Sequence, residues 1–281
     1  MRIITDSAAD FSLEELNKLH ITCVPLQITF GEDAYTDGVT LTADIFWSRL
    51  ISGENPKTSQ PSPDAFLTAF EDAKDAGESV VCILLSSGLS GTVQSAMLAK
   101  SMADYDDIHI VDSLQVATAE KMLVMRACQL RDEGNLSAAE LAVELARFAK
   151  RIRLYACLDT LEYLSRGGRI PAAAAALGTL VQLKPLIMIT DEGKVGMAGK
   201  GMGLHRATAS LIKLIQQHEI DTDYMPIPLY TYSPENSTGL IKKLNAAGIA
   251  CSDENISSVG ATISTHVGPG AFGLVFVEKD A

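Results

Sequence analysis

Short apolar runs alternate along this chain with longer stretches whose apolar residues recur every three or four positions. The runs at Arg2–Thr5, Cys23–Thr29, Val80–Leu85 and Ile108–Asp112 have the length and β-branched content of strands. Helix starts stand between them. Ser12 with Glu15 three residues on is a capping box, and Ser137 with Glu140 is another, opening a helix to about Lys150. Ser62 precedes Pro63, which suits a first helical position. Strands alternating with helices of this length predict a mostly parallel sheet flanked by helices on both faces.

The second half has a different texture. Leu154–Leu158 reads as a strand, Thr160–Gly167 as a short helix stopped by a glycine pair, and Ala172–Leu180 as an alanine-rich helix. Strands near Leu186–Thr190 and Lys194–Ala198 flank the turn Asp191-Glu192-Gly193. A helix follows at Leu204–His218, then a strand at Ile227–Tyr232 and a helix at Pro234–Asn245. The tail offers short strands near Ile256–Val259, Thr262–His266 and Leu274–Val277. The pattern predicts an α/β chain of two domains, the second with a mixed sheet. With the boundary near Arg153, the domains are 1–153 and 154–281.

Composition narrows the function. The chain has 281 residues, 47% of them hydrophobic, which is material for a sizeable core. Its net charge of -12, from 23 basic and 35 acidic residues, repels phosphate backbones and anionic lipid surfaces. Nucleic acid and a membrane surface are therefore not the expected partners. The cysteines, at 23, 82, 128, 157 and 251, are odd in number and include no C-x-x-C. They read as small buried hydrophobes in a reducing compartment. Asp6 follows the start too closely for a signal peptide. No apolar run approaches the roughly 18 residues of a membrane span. The expected location is the cytoplasm.

Several motifs dissolve when their context is read. Gly268–Gly273 spells G-x-G-x-x-G, but only eight strand-like residues follow where a dinucleotide site needs a helix. Around Gly193–Gly201 a phosphate loop is imitated with the spacing one residue wrong and Gly201 in place of the hydroxyl residue. No close His/Cys cluster indicates a metal, and no cofactor is expected.

Ser86-Ser87-Gly88-Leu89-Ser90-Gly91-Thr92 is more informative. It follows an apolar strand and precedes the helical stretch Val93–Met102, which puts hydroxyls and backbone N–H groups at a helix N-terminus. Free donors and the helix dipole favour an anion there; a plain strand-to-helix turn with a serine cap fits the residues as well. A third reading takes Ser90 as the nucleophile of a serine hydrolase acting on acyl esters, with His266 as base. Gly88-Leu89-Ser90-Gly91 is one residue short of the G-x-S-x-G elbow. Lys57–Pro63 is a second hydroxyl-rich turn, between helices. His266 follows an expected strand, where a lone histidine is commonly structural. In Ser165-Arg166-Gly167-Gly168-Arg169 the glycines end a helix, and the arginines need solvent or an anion.

Taken in order, these segments resemble the DegV family, which includes the fatty-acid-binding subunits of bacterial fatty acid kinase. The resemblance rests on Ile4-Thr5-Asp6-Ser7, Thr58-Ser59-Gln60-Pro61-Ser62, Leu85–Thr92, Arg166-Gly167-Gly168-Arg169 and His266-Val267-Gly268-Pro269-Gly270, and spans the chain from Arg2 to the last strand. It implies two α/β domains with a cleft between them. One long-chain, palmitate-like fatty acid would place its carboxylate in that cleft and its tail in an apolar tunnel of the second domain. Thr58, Ser90, Gly91 and His266 match the family's head-group positions. Arg169, with Arg166 beside it, matches the face turned to the kinase subunit that phosphorylates the bound carboxylate. The implied protein is a cytoplasmic, monomeric lipid carrier without catalytic residues or a metal of its own. The chain departs from the family pattern at Ser264, before Thr265-His266, and at Phe11-Ser12, where many members have proline.

Elementary energetics agree with these implied roles. A carboxylate leaving water needs several hydrogen bonds or it takes up a proton. Two hydroxyls and helix-terminal amides supply them without a full positive charge. The tail supplies affinity: at about 0.8 kcal/mol per buried CH₂, about sixteen carbons offer roughly 10 kcal/mol before losses. Ala172–Ala176 leave room for a tunnel, and Leu177, Leu180, Val181, Leu186, Ile187 and Met188 are candidate walls, or ordinary core.

Overall fold

In the computed structural model, which describes residues 1–171 and 182–280, the chain divides into two units, Met1–Lys150 and Arg151–Ala281. The first unit contains β1 (Arg2–Asp6), β2 (Ile21–Val24), β3 (Gln27–Phe30), β4 (Asp33–Thr36), β5 (Pro56–Ser59), β6 (Val80–Leu84) and β7 (Ile108–Asp112). Its helices are α1 (Leu13–Leu19), α2 (Ala43–Ile51), α3 (Pro63–Asp75), α4 (Thr92–Ala103), α5 (Ala117–Glu133) and α6 (Ala138–Ala149). The three helix starts expected from Ser12, Ser62 and Ser137 form: each hydroxyl accepts a backbone N–H of the first turn, and both capping boxes close.

Four parallel strands stand in the order β2-β1-β6-β7. β6 is buried at every position, as a central strand covered on both faces must be. On one face α3 and α4 bring Phe66, Phe70, Val93, Ala96 and Ala99 against Ile4, Val80, Cys82, Leu84 and Ile108. α5 and α6 pack elsewhere on the same sheet, against β1, β6 and β7. The chain runs from β1 outward to β2 and then returns past β1 to β6. The strand order therefore reverses between β1 and β6, the position where open α/β sheets hold ligands, outside the carboxyl ends of the strands.

A separate antiparallel sheet, β4-β3-β5, departs from the sequence expectation. Cys23–Thr29 is not one strand: Pro25 has no N–H to continue a ladder, so β2 stays in the parallel sheet and β3 starts a second one. Lys57–Ser59, expected as a turn, belongs to β5, which owes its conformation to pairing with β3 rather than to an apolar run of its own.

The second unit holds β8 (Ile152–Cys157), β9 (Leu183–Ile189), β10 (Val195–Met202), β11 (Ile227–Tyr230), β12 (Ser257–Ser258) and β13 (Phe272–Val277) in one mixed sheet, ordered β10-β9-β8-β13-β11-β12. β9 and β10 form the expected hairpin. Helices Gly203–Ile215 and Glu235–Ala246 bring Ala207, Leu211, Ile215, Leu240 and Leu244 against Leu186, Phe272, Leu274 and Phe276. The stretch Thr262–His266 is helical, within Ala261–Val267, not a strand. Its β-branched residues suggested strand, but Ser264 and Thr265 turn their hydroxyls back onto the carbonyls of Val259 and Ala261, and the chain turns sharply at Gly268. The helix expected at Ala172–Leu180, with Leu177, Leu180 and Val181, lies outside the described residues. Of the other candidate walls, Leu186 and Ile187 are buried and Leu186 sits in the core of this unit. No helix among the described residues is long and apolar enough to cross a membrane.

One feature of the first core is chemical. Glu120, on α5, is fully buried, and Thr5 of β1 donates to its Oε1 at 3.5 Å. Burial, with repulsion from Asp6, Asp10 and Asp112, pushes its pKa well above the ordinary 4.5. The folded carboxyl keeps its proton where the unfolded chain has lost it, so stability falls as pH rises from that ordinary value toward the folded one. Glu120→Gln removes this loss. Its urea midpoint, measured against wild type between about pH 5 and about pH 8, is expected to gain steadily with pH. A difference that stays constant with pH would show that Glu120 is ionised in the fold.

Candidate functional site

The carboxyl ends of β1 and β6 are stitched by one side chain. Asp6 Oδ1 accepts the Ala8 N–H and Oδ2 accepts the Leu85 N–H, both at 2.8 Å. The carboxyl is 1% exposed, and burial pushes its pKa up to about 7 against the pull of the two amides. The turn after β6 is built on buried Ser86. Its Oγ accepts the Gly88 N–H at 3.1 Å, and its carbonyl accepts the N–H groups of Leu89 and Ser90. Asp112, at the end of β7, accepts the Ser87 N–H at 3.1 Å. Both neighbouring strands therefore fix where Ser90 stands.

α4 opens at Gly91, which has no side chain to accept the first-turn N–H groups. The turn thus offers backbone donors and the positive end of a helix dipole. Ser90 Oγ lies 2.8 Å from Thr92 Oγ1; Thr92 is buried and Ser90 half-buried. Within the first unit, the Ser90 hydroxyl is thus held by a neighbouring hydroxyl.

Thr58 sits on β5, opposite Ile28. Two residues later Gln60 crosses to α4: its Nε2 donates to Ser95 Oγ at 2.9 Å. The Gln60 side chain lies against the α-carbon of Gly91, where an added Cβ would come within 2.1 Å of Oε1. The strand of Thr58 and the turn of Ser90 and Gly91 are thereby brought together within the first unit.

The second unit brings together its own trio. His266 occupies the last turn of the helix Ala261–Val267 and is 9% exposed. Burial, and then the charge of Arg169, push its pKa down to about 4, so the imidazole is neutral at neutral pH. Gly167 leaves the space the ring fills; an added Cβ would stand 2.1 Å from His266 Nδ1. Gly268, at φ 72°, lies against the Tyr163 ring, which a Cβ would meet at 2.3 Å. These two close approaches explain glycine at both places. Arg169 is half-buried and donates to the Gly167 carbonyl at 2.6 Å. Arg166 pairs with Glu162 one turn earlier and lies over the Tyr163 ring.

Sequence reading gives no individual role to three residues of the first unit, Asp6, Gln60 and Glu120. Gln60 lies in a hydroxyl-rich stretch that reads as a loop, and no pattern marks its reach to Ser95. Asp6 and Glu120 look like ordinary acids until the fold encloses them. No cluster of three or more His, Cys, Asp or Glu suited to a metal occurs among the described residues.

With this geometry in hand, likeness to other proteins becomes informative. A model of the DegV family, described as uncharacterised proteins, matches residues 1–279. A DegV domain-containing protein of Lactococcus lactis subsp. lactis is 33% identical over 285 residues, covering 99% of this chain and 98% of the relative. The solved structure of a DegV family protein from Thermus thermophilus, described by its fatty acid binding, is 30% identical with a TM-score of 0.86. It is covered in full by 99% of this chain. A stearic-acid-binding protein from Eubacterium ventriosum is 29% identical with a TM-score of 0.87, with 99% of each chain covered. The chain belongs to the DegV family.

Proposed function

We propose that this protein binds one long-chain fatty acid in the cytoplasm and presents its carboxylate to a fatty acid kinase, serving lipid metabolism as a carrier and not as an enzyme. The observation that carries the reading is the Ser90-Gly91-Thr92 turn: a hydroxyl pair and uncapped amides at a helix start, at the point where strand order reverses, with the Thr58 strand held against it. Fatty acid binding by the Thermus thermophilus and Eubacterium ventriosum relatives supports the choice of anion.

The chemistry suits an acyl carboxylate. Hydroxyls and a helix dipole hold the anion by charge-assisted hydrogen bonds and bring no full positive charge of their own. An oxygen held that way stays nucleophilic toward a phosphoryl group. Affinity then comes from burial of the tail.

Two measurements test the assignment. Thr58→Ala and Ser90→Ala are each expected to weaken palmitate binding about tenfold, the worth of one hydrogen bond to a charged group, in a displacement titration. Unchanged affinity in both single variants and in the double would remove the carboxylate from this turn. Arg169→Ala is expected to bind palmitate like wild type yet to slow acyl phosphate formation by a partner kinase about tenfold. Loss of its charge also moves the His266 titration upward in an NMR experiment. An unaltered rate with that upward shift present would rule out a docking role for Arg169.

A further inference from the structure

Gly91 poses a question that its backbone does not answer. Its φ of -78° and ψ of 11° are open to any residue, so glycine is not required by the conformation of the turn. What stands where a side chain would go is Gln60. The amide end of Gln60 occupies the space a Cβ would enter, with Oε1, the amide carbon and Nε2 at 2.1, 2.7 and 2.8 Å from it. Gln60 is itself exposed, yet its amide reaches Ser95, a residue 3% exposed in the first part of α4. A surface glutamine that reaches inward gives up rotamer freedom for this contact.

Gln60 lies between two anchored elements. On one side β5 is paired to β3 through Thr58 and Ser59. On the other, Pro61 is buried and Ser62 caps α3, which packs along α4. Between these two anchors the Gln60 side chain ties the segment to the Ser90–Gly91 turn.

We propose that Gln60 is a positioning residue for the head-group site: wedged on Gly91 and bonded to Ser95, it sets the approach of the Thr58 hydroxyl to the Ser90 hydroxyl so that both address one carboxylate. The inference rests on the reading of Thr58 and Ser90 as head-group ligands. Its chemistry is fitted to the task. An amide bridges a hydroxyl and a backbone without bringing a charge beside a bound anion, whereas glutamate there would repel the anion and lysine would clamp it.

The test compares palmitate with hexadecanol, which has the same tail and no carboxylate, on Gln60→Ala, Gly91→Ala and the double variant. Gln60→Ala is expected to weaken palmitate binding about tenfold and leave hexadecanol binding unchanged. Gly91→Ala pushes the amide off the turn and is expected to do the same. Because both act through one contact, the double variant is expected to bind palmitate no worse than either single one. Equal losses for both ligands would mean a general loosening of the fold and would overturn the positioning role. So would full palmitate affinity in Gln60→Ala while Thr58→Ala and Ser90→Ala are weakened, and that result leaves the head-group reading standing. Unchanged palmitate affinity in all of Thr58→Ala, Ser90→Ala and Gln60→Ala would remove the head-group reading and this inference with it. Gln60→Ala decides the question alone if Gly91→Ala does not fold.

Discussion

The first unit depends on a carboxyl group that is nowhere near water. Asp6 accepts one amide from the turn that follows β1 and one from Leu85 at the end of β6. Parallel strands at a reversal of strand order have no hairpin to keep their ends together, since their connections leave in opposite directions. A buried acceptor shared between them does that work. Its cost is visible in the upward shift of the Asp6 pKa, and the gain is a rigid floor from which the Ser86–Ser90 turn rises. Ser86 and Asp112 extend the same device, side-chain oxygens holding backbone amides, until the turn has little freedom left.

On that floor the first unit presents a turn of hydroxyls and open backbone amides. Ser90, Thr92 and the open start of α4 carry those donors. Hydroxyls and helix-start amides of this kind suit an anionic group. Within the second unit, His266 is held neutral by burial and by Arg169.

Legibility in the sequence followed locality. The capping boxes at Ser12 and Ser137 and the Ser62-Pro63 start form as read, because cap and amide lie within one turn of each other. Val80–Leu84 was legible because a strand buried on both faces is continuously apolar. Thr262–His266 misled, because β-branched and hydroxyl residues favour strand only while their hydroxyls leave the helix carbonyls alone. β5 was unreadable as a strand: Pro-Lys-Thr-Ser carries no periodicity, and its conformation is lent to it by β3. The serine-rich turn before α4 was visible as a candidate site, but its anchors were not, since Asp6, Asp112 and Gln60 reach it from distant parts of the chain.

What the sequence alone determined is therefore the alternation of elements, the α/β class, the acidic character and the order of the small polar motifs. Each follows from periodicity, capping or composition, and these act over a few residues or over the whole chain at once. Only tertiary structure decided which polar groups became buried. Glu120 and Asp6 are acids like the chain's other carboxylates until α5 and β6 close over them, and Gly91 is one glycine among 21 until Gln60 is laid against it. Burial and close approach belong to pairs of residues far apart in the chain, so no local pattern can carry them.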